Sequence, residues 1–221
     1  MEIIAEITPS LNKAKLVKRL EAVRRYVEKV DIPEAPGGKP TAHSLAVGVL
    51  AKQLGLEPIV HIRLVDLNKT AFKSLLGGAH ILDIRYVVVL QGDPPAEGKP
   101  VGEITTEEAV AAAKSMGFKT GALLSLRRDY AKRLEIGADF YLALHFTEPK
   151  QLQGLPPVVY PYILVKTGRN ASILEKLGQT AVTPGEALGL IHQLQEAAPG
   201  IVLSAPGDHH ALLQLLEKLR S

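Results

Sequence analysis

Short apolar runs alternate along this chain with longer segments in which apolar residues recur every three or four positions. Glu2–Thr8 (EIIAEIT) reads as a strand. Asn12–Val27 puts Leu16, Leu20 and Val23 on one face with Lys and Arg opposite, which predicts an amphipathic helix. Lys29–Ile32 is a short strand, followed by a stiff loop carrying Pro33, Pro36, Gly37, Gly38 and Pro40. Thr41–Leu54 reads as a helix stopped by Gly55, Pro58–Leu64 (PIVHIRL) as a strand, Lys69–Leu76 as a helix stopped by Gly77-Gly78, and Arg85–Leu90 as a strand. Thr105 or Thr106 caps a helix running to Met116, with Glu107 and Glu108 in its first turn, where the helix dipole favours them. Lys119–Leu124 is a strand, Arg127–Glu135 a helix and Phe140–His145 a strand. Gln151–Pro161 is Pro-rich and irregular. Tyr162–Lys166 is a strand, Ala171–Leu177 and Pro184–Ala197 are helical, Ile201–Ser204 is the last strand and His209–Leu219 the last helix.

Most of these strands are followed by a helix, and the runs VVVL, ALLSL, YLAL, YILV and IVL are apolar on both faces. Parallel strands covered by helices have that character. Repeated β–α units predict a closed (β/α)₈ TIM barrel, a single α/β domain over residues 1–221, because closure removes exposed edges. An open doubly wound sheet is the competitor, and it lacks a G-x-G-x-x-G after the first strand.

The totals narrow the chemistry. The 221 residues are 46% hydrophobic, carry a formal charge of +3 and include no cysteine. Disulfides, cysteine nucleophiles and thiolate metal sites are excluded. Basic residues are interspersed with acidic ones, so nucleic acid is not the expected partner. Two Met, no Trp and 15 Pro suit a heat-adapted cytoplasmic protein. The opening MEIIAEITPS has acidic residues in its apolar run and no basic leader, unlike a signal peptide, and no apolar run is long enough to predict a membrane helix.

In a barrel the residues ending each strand face the catalytic mouth. They are Glu6, Asp31, His61, Gln91-Gly92-Asp93, Ser125, His145, Lys166-Thr167 and Ser204. A carboxyl among isoleucines must be paired, hydrogen-bonded or protonated. Glu6 therefore reads either as a general acid with a raised pKa or as half of a structural ion pair. His61 reads as a satisfied core histidine or a ligand contact, and His145 likewise. His209-His210 reads as solvated, and no metal spacing is present, so no metal is expected. Lys166 could form a Schiff base if desolvated. In VVVLQGDPP, Gly92 permits close backbone approach and Pro94-Pro95 stiffens the loop that carries Asp93.

Four blocks in order, AEITPS, AHSLAV…GLEPIVHIRLVDLNK, GGAHILDIRYVVVLQGDPP and AKRLEIGADF, resemble the methylenetetrahydrofolate reductases, which are flavin-dependent (β/α)₈ barrels. They mark the chain as a short, divergent relative. The resemblance implies an oxidoreductase of one-carbon metabolism. Hydride passes from NADH or NADPH through FAD to the methylene carbon of a reduced folate or pterin. Glu6 matches the family's general acid and Asp93 its carboxylate beside flavin and folate. His61, Leu90, Gln91, Gly92 and Asp93 match flavin-lining positions, with Asp31, Thr106 and Arg133 matching more loosely.

The chain also departs from the family pattern. Gln91 replaces an Arg. Leu124–Asp129 (LSLRRD) replaces a longer loop with a flavin-holding Tyr and His, the strand-6 Gln falls on Leu144, and the Arg after strand 8 falls near Asp208. These changes weaken FAD binding, folate amide recognition and folate-tail binding. The alternatives are a flavin-independent pterin-binding reductase, a non-catalytic subunit of a C1 reductase complex, and a Schiff-base lyase using Lys166. A homo-oligomer or a partner subunit is compatible with each.

Overall fold

A computed structural model of the chain describes residues 1–128 and 130–220. Eight parallel strands close into a barrel in chain order. They are β1 (Glu2–Glu6), β2 (Lys29–Ile32), β3 (Glu57–Arg63), β4 (Tyr86–Leu90), β5 (Lys119–Ser125), β6 (Phe140–Leu144), β7 (Val159–Leu164) and β8 (Gly200–Ser204). The circle closes where Ile4 of β1 pairs with Val202 of β8. Helices α1 (Lys13–Val23), α2 (Ser44–Gln53), α3 (Lys69–Ile81), α4 (Thr106–Ser115), α5 (Ala131–Leu134), α6 (Ala171–Lys176), α7 (Pro184–Leu194) and α8 (His209–Arg220) follow the strands. The TIM barrel expected from the alternation is the fold observed.

Strand alternation divides the apolar residues into two layers. Outward-facing Val30, Ile62, Val87, Val89 and Leu203 pack with Leu20, Phe72, Leu76, Ile191 and Leu215 of the helices. Inward-facing Ile4, Ile59, Val88, Leu142, Tyr162 and Val202 fill the lumen. The N-terminal mouth is closed by Lys29 paired with Glu2 at 2.8 Å and by Tyr86, Phe140 and Tyr160 packed edge to face.

Three elements differ from the sequence reading. Helix α3 continues through Gly77-Gly78 to Ile81. Each interior glycine costs about 1 kcal/mol relative to alanine. Burial of Leu76 and Ala79 on either side of the pair holds the helix together. Strand β7 begins at Val159, inside the stretch expected to be irregular. Pro161 is tolerated there because pairing with β8 starts only at Tyr162. Helix α5 is one turn, Ala131–Leu134, shorter than the Arg127–Glu135 expected. Asp129, the last residue of the LSLRRD segment, lies outside the described residues, as does Ser221.

Candidate functional site at the C-terminal mouth

Because every second strand residue faces the lumen, the inward positions near the strand ends define the mouth. On one side they are Glu6 of β1, Asp31 of β2, His61 of β3 and Ser204 of β8. On the other, Leu90, Leu123, Leu144 and Leu164 continue the apolar packing of the lumen. One half of the mouth is thus polar and the other leucine-lined.

The polar half is a connected network. The Tyr162 hydroxyl lies 2.5 Å from Glu6 Oε2 and 2.9 Å from Asp31 Oδ2. His61 Nε2 lies 2.7 Å from Asp31 Oδ1. Thr8 donates to Glu6 Oε1 at 3.0 Å. The Ser44 hydroxyl, at the start of α2, donates to the His61 carbonyl at 2.5 Å and fixes that segment of β3. Ser204 is wholly buried and its hydroxyl is near Glu6 without completing a hydrogen bond. Asp31 is wholly buried, whereas Glu6 keeps partial exposure at the top of the network. Among the described residues no Lys or Arg pairs with Glu6, so the ion-pair alternative is not what the fold builds.

Burial favours the protonated forms of Glu6 and Tyr162. Removal from water is the largest influence on Glu6 and raises its pKa. The Asp31 charge adds to that, and the Tyr162, Ser204 and Thr8 hydroxyls oppose it. Burial is the largest single influence on His61 and lowers its pKa, but the adjacent Asp31 carboxylate, with Glu6 and Glu34, makes the net shift upward. Burial, with Asp31 and Glu6 alongside, raises the Tyr162 pKa well above the phenolic range, so its hydroxyl keeps its proton.

The loop after β4 has a different construction. Gly92 has φ +85°, and a Cβ there would come within 2.7 Å of Arg63 Cγ. Its bare backbone makes room for the stem of Arg63, a protein group and not a ligand. Arg63 is buried, with Nε 2.6 Å from Asp66 Oδ2 and Nη1 donating to the Ala35 carbonyl at 3.1 Å. Asp93 Oδ2 accepts the Gly37 N–H at 2.9 Å, and Ala96 N–H donates to the Gly38 carbonyl at 2.9 Å. The rigid segment after β4 is therefore laced to the glycine turn after β2.

A cavity of about 260 Å³ opens above the leucine half, lined by Leu90, Gln91, Gly92, Asp93, Thr106, Leu123, Arg133, Leu144 and Gln179. Six of the predicted site residues meet here: Leu90, Gln91, Gly92, Asp93, Thr106 and Arg133. Asp31 and His61 instead join Glu6 in the polar network. Glu6 and Asp93 occupy the same end of the barrel, but Glu6 is not among the residues that line this cavity.

Sequence reasoning missed Tyr162, Arg63 and Gln179. Inward-pointing parity on β3 and β7 marks the first two. The Gln179 Oε1 atom is buried and unpartnered, and Gln179 lines the cavity that Leu144 also lines. Its loop is clasped by Arg127, which donates to the Gly178 carbonyl at 3.1 Å and to the Thr180 hydroxyl. Lys166 is exposed, so the desolvation that would activate it for Schiff-base chemistry is missing. His209, expected to be solvated, has its Nε2 buried between α8 and α1, whereas His210 is exposed. No group of three or more metal-ligating side chains is present among the described residues.

The residues do not form a full bed for a flavin dinucleotide. Arg133, the candidate diphosphate contact, sits on a one-turn helix and faces Glu107 at 3.8 Å. Gln91 Nε2 is engaged by the Ile104 carbonyl at 2.8 Å, and Asp31 and His61 are engaged by each other. A cavity of about 260 Å³ is below the usual range of about 300–1,000 Å³ for ligand pockets.

A closed parallel barrel with a buried network of carboxyl, phenol and imidazole groups at its C-terminal mouth defines the class: a TIM barrel. The family model described as methylenetetrahydrofolate reductase matches residues 6–156, and the chain belongs to that family. No curated protein matches the sequence. Among solved structures, an uncharacterized protein from Clostridium thermocellum that binds two copies of 5-methyl-5,6,7,8-tetrahydrofolic acid is similar with TM-score 0.74 at 10% identity, over 99% of this chain and 95% of that one. Tryptophan synthase from Mycobacterium tuberculosis is similar with TM-score 0.62 at 13% identity, over 99% and 88%. A GH18 chitinase from Pseudoalteromonas aurantia gives TM-score 0.60 at 10% identity, over 100% and 99%. At these identities the structural likeness shows the shared barrel. No helix among the described residues is long and apolar enough to cross a membrane.

Proposed function

We propose that the C-terminal mouth binds a reduced folate or related pterin and promotes reduction of its one-carbon bridge. Glu6 gives its proton to the bridging ring nitrogen, the five-membered ring opens, and the methylene carbon becomes an iminium. A hydride from a donor of the reduced nicotinamide class adds to that carbon. The proton ends on nitrogen, the hydride on carbon, and the donor leaves oxidised. Asp93, at the rim, offers negative charge to the cationic iminium.

One observation carries this reading: Glu6 is a carboxyl without a cationic partner among the described residues, whose surroundings favour its protonated form, at the same barrel mouth as a cavity of about 260 Å³. Family membership and the folate ligand of the Clostridium thermocellum protein support the same substrate class. FAD, which the family implies, would supply a hydride relay if bound. The present residues form an incomplete bed for it, and no step above is routed through it. A non-catalytic folate-binding subunit is the second reading, favoured by the small volume of the cavity.

The test is anaerobic incubation of the purified chain with methylenetetrahydrofolate and reduced nicotinamide, with and without added FAD. Formation of the methyl product supports the reductase. Calorimetric binding of the folate without turnover under either condition supports the binding subunit, and absence of binding overturns both.

A further inference from the structure

The Tyr162 hydroxyl has one proton and two carboxyl neighbours. It is 2.5 Å from Glu6 Oε2 and 2.9 Å from Asp31 Oδ2, and it can donate to just one of them at a time. If both carboxyls were ionised, one anionic oxygen would face the lone pairs of the phenol at hydrogen-bonding distance. Such a contact is repulsive, and burial leaves little water to relieve it. The contacts are satisfied together when one carboxyl is protonated and donates to the phenolic oxygen.

His61 decides which one. Its Nε2 faces Asp31 Oδ1 at 2.7 Å, while Asp31 Oδ2 faces Tyr162. An Nε2–H donor and the phenolic O–H then both point at Asp31, which suits an ionised carboxylate. Among the described residues no cation pairs with Glu6, and its other oxygen is served by the Thr8 hydroxyl at 3.0 Å. The remaining charged groups nearby act at a remove. Glu34 acts on His61 and is paired with His43 at 3.1 Å, and Arg19 reaches the Thr8 backbone carbonyl at 3.3 Å.

We infer that Glu6 and Asp31 share a single proton through the Tyr162 hydroxyl, that this proton rests on Glu6, and that Tyr162 is a positioning residue that switches its donor bond between the two carboxyls. At rest, Glu6 O–H donates to the Tyr162 oxygen and Tyr162 O–H donates to Asp31. When Glu6 gives up its proton, the phenolic O–H turns to the new Glu6 carboxylate. Asp31 keeps the bond from His61. No covalent bond other than the O–H of Glu6 breaks, and Tyr162 remains neutral throughout. The switch gives the anion that proton donation leaves behind a donor, while Asp31 Oδ2 faces the phenol lone pairs until a proton returns to Glu6. Its use in turnover rests on the function proposed above; the shared proton itself does not.

The test is carbon-13 NMR of the full chain with labelled Glu and Asp side-chain carboxyls, without substrate, assigned through Glu6→Gln and Asp31→Asn. At pH 7 the wild-type Glu6 carbon is expected at the protonated position and the Asp31 carbon at the ionised one. In Tyr162→Phe the protonated form of Glu6 loses an acceptor and the ionised form loses a donor, and the bond to the charged form is the stronger. The Glu6 titration midpoint then moves upward by about one pH unit, the shift expected from losing a hydrogen bond to a charged group. Both carbons ionised at pH 7 in the wild type would overturn the inference, even if the Phe variant fails to fold. A Glu6 midpoint unmoved in a folded Phe variant would overturn the switch. A protonated Glu6 in a chain with no pterin turnover would uphold the shared proton and count against the proposed function alone.

Discussion

The Asp93 carboxylate accepts the backbone N–H of Gly37 at 2.9 Å, tying the loop after β4 to the loop after β2 across His61 and Arg63 of β3. This contact gives the rigid QGDPP segment a structural use besides the electrostatic one proposed for it. Asp93→Ala removes the acceptor and frees both loops. The expected outcome is a fall in Tm of about 2–4 °C by calorimetry, the scale of about 1 kcal/mol in a domain of this size, together with weaker folate binding. Asp93→Asn retains an acceptor oxygen and should recover the Tm but not the charge-dependent part of turnover.

Gly92 holds a left-handed φ of +85° and borders the Arg63 stem. Gly92→Ala meets both a strained backbone and a Cβ only 2.7 Å from Arg63 Cγ. The displaced guanidinium would lose its Asp66 and Ala35 partners in a buried setting. A destabilisation of about 2–4 kcal/mol is expected from urea unfolding, larger than backbone strain alone at about 1–3 kcal/mol.

Gln179 has a buried, unpartnered carboxamide oxygen and lines the same cavity as Leu144. The resembling family has a Gln at the Leu144 position. A carboxamide from the loop before α7 can take its place against the amide edge of a pterin. Gln179→Leu should weaken folate binding about tenfold by calorimetric titration, the loss of one good hydrogen bond, while thermal stability is unchanged or rises because an orphaned polar atom is removed.

The His209 pKa is lowered to about 4 by burial and by the Arg19 guanidinium opposite. The folded chain therefore binds fewer protons there than the unfolded chain, whose histidine titrates near the ordinary value of about 6.5. Stability from this group is fully present above that value and is lost as pH falls through the interval toward about 4. His209→Gln should flatten the decline of Tm between pH 6.5 and 4.5 relative to wild type. Equal slopes in the two proteins would contradict the buried setting.

The fold was legible because strand and helix periods survive in the raw pattern. VVVL and IVL are doubly buried strands, and Leu16, Leu20 and Val23 form a helix stripe that the structure buries. Strand β7 was partly concealed, since Pro161 reads locally as a breaker while its register with β8 is a property of the closed sheet. The Gly77-Gly78 pair misled for the same reason: tertiary burial on both sides overrides local propensity.

Site residues at strand ends were identifiable by type and parity, which places Glu6, Asp31, His61 and Gln91-Gly92-Asp93 at one mouth. Their grouping was not. Asp31 and His61 join Glu6 because β1, β2 and β3 are neighbours in the sheet, and Tyr162 of β7, distant in sequence, bridges the two carboxyls. A contact spanning residues 6 to 162 leaves no local pattern. Gln179 lies in a loop, where no periodicity singles it out.

The most direct measurement of the central claim is single-turnover reduction of methylenetetrahydrofolate by Glu6→Gln beside wild type, with folate affinity measured on the same samples. Gln preserves the size of the side chain and removes its acidic proton. The account predicts affinity within about threefold of wild type and a rate lower by about 10²–10⁴, the usual contribution of a positioned acid. A Gln variant that turns over at the wild-type rate would contradict it.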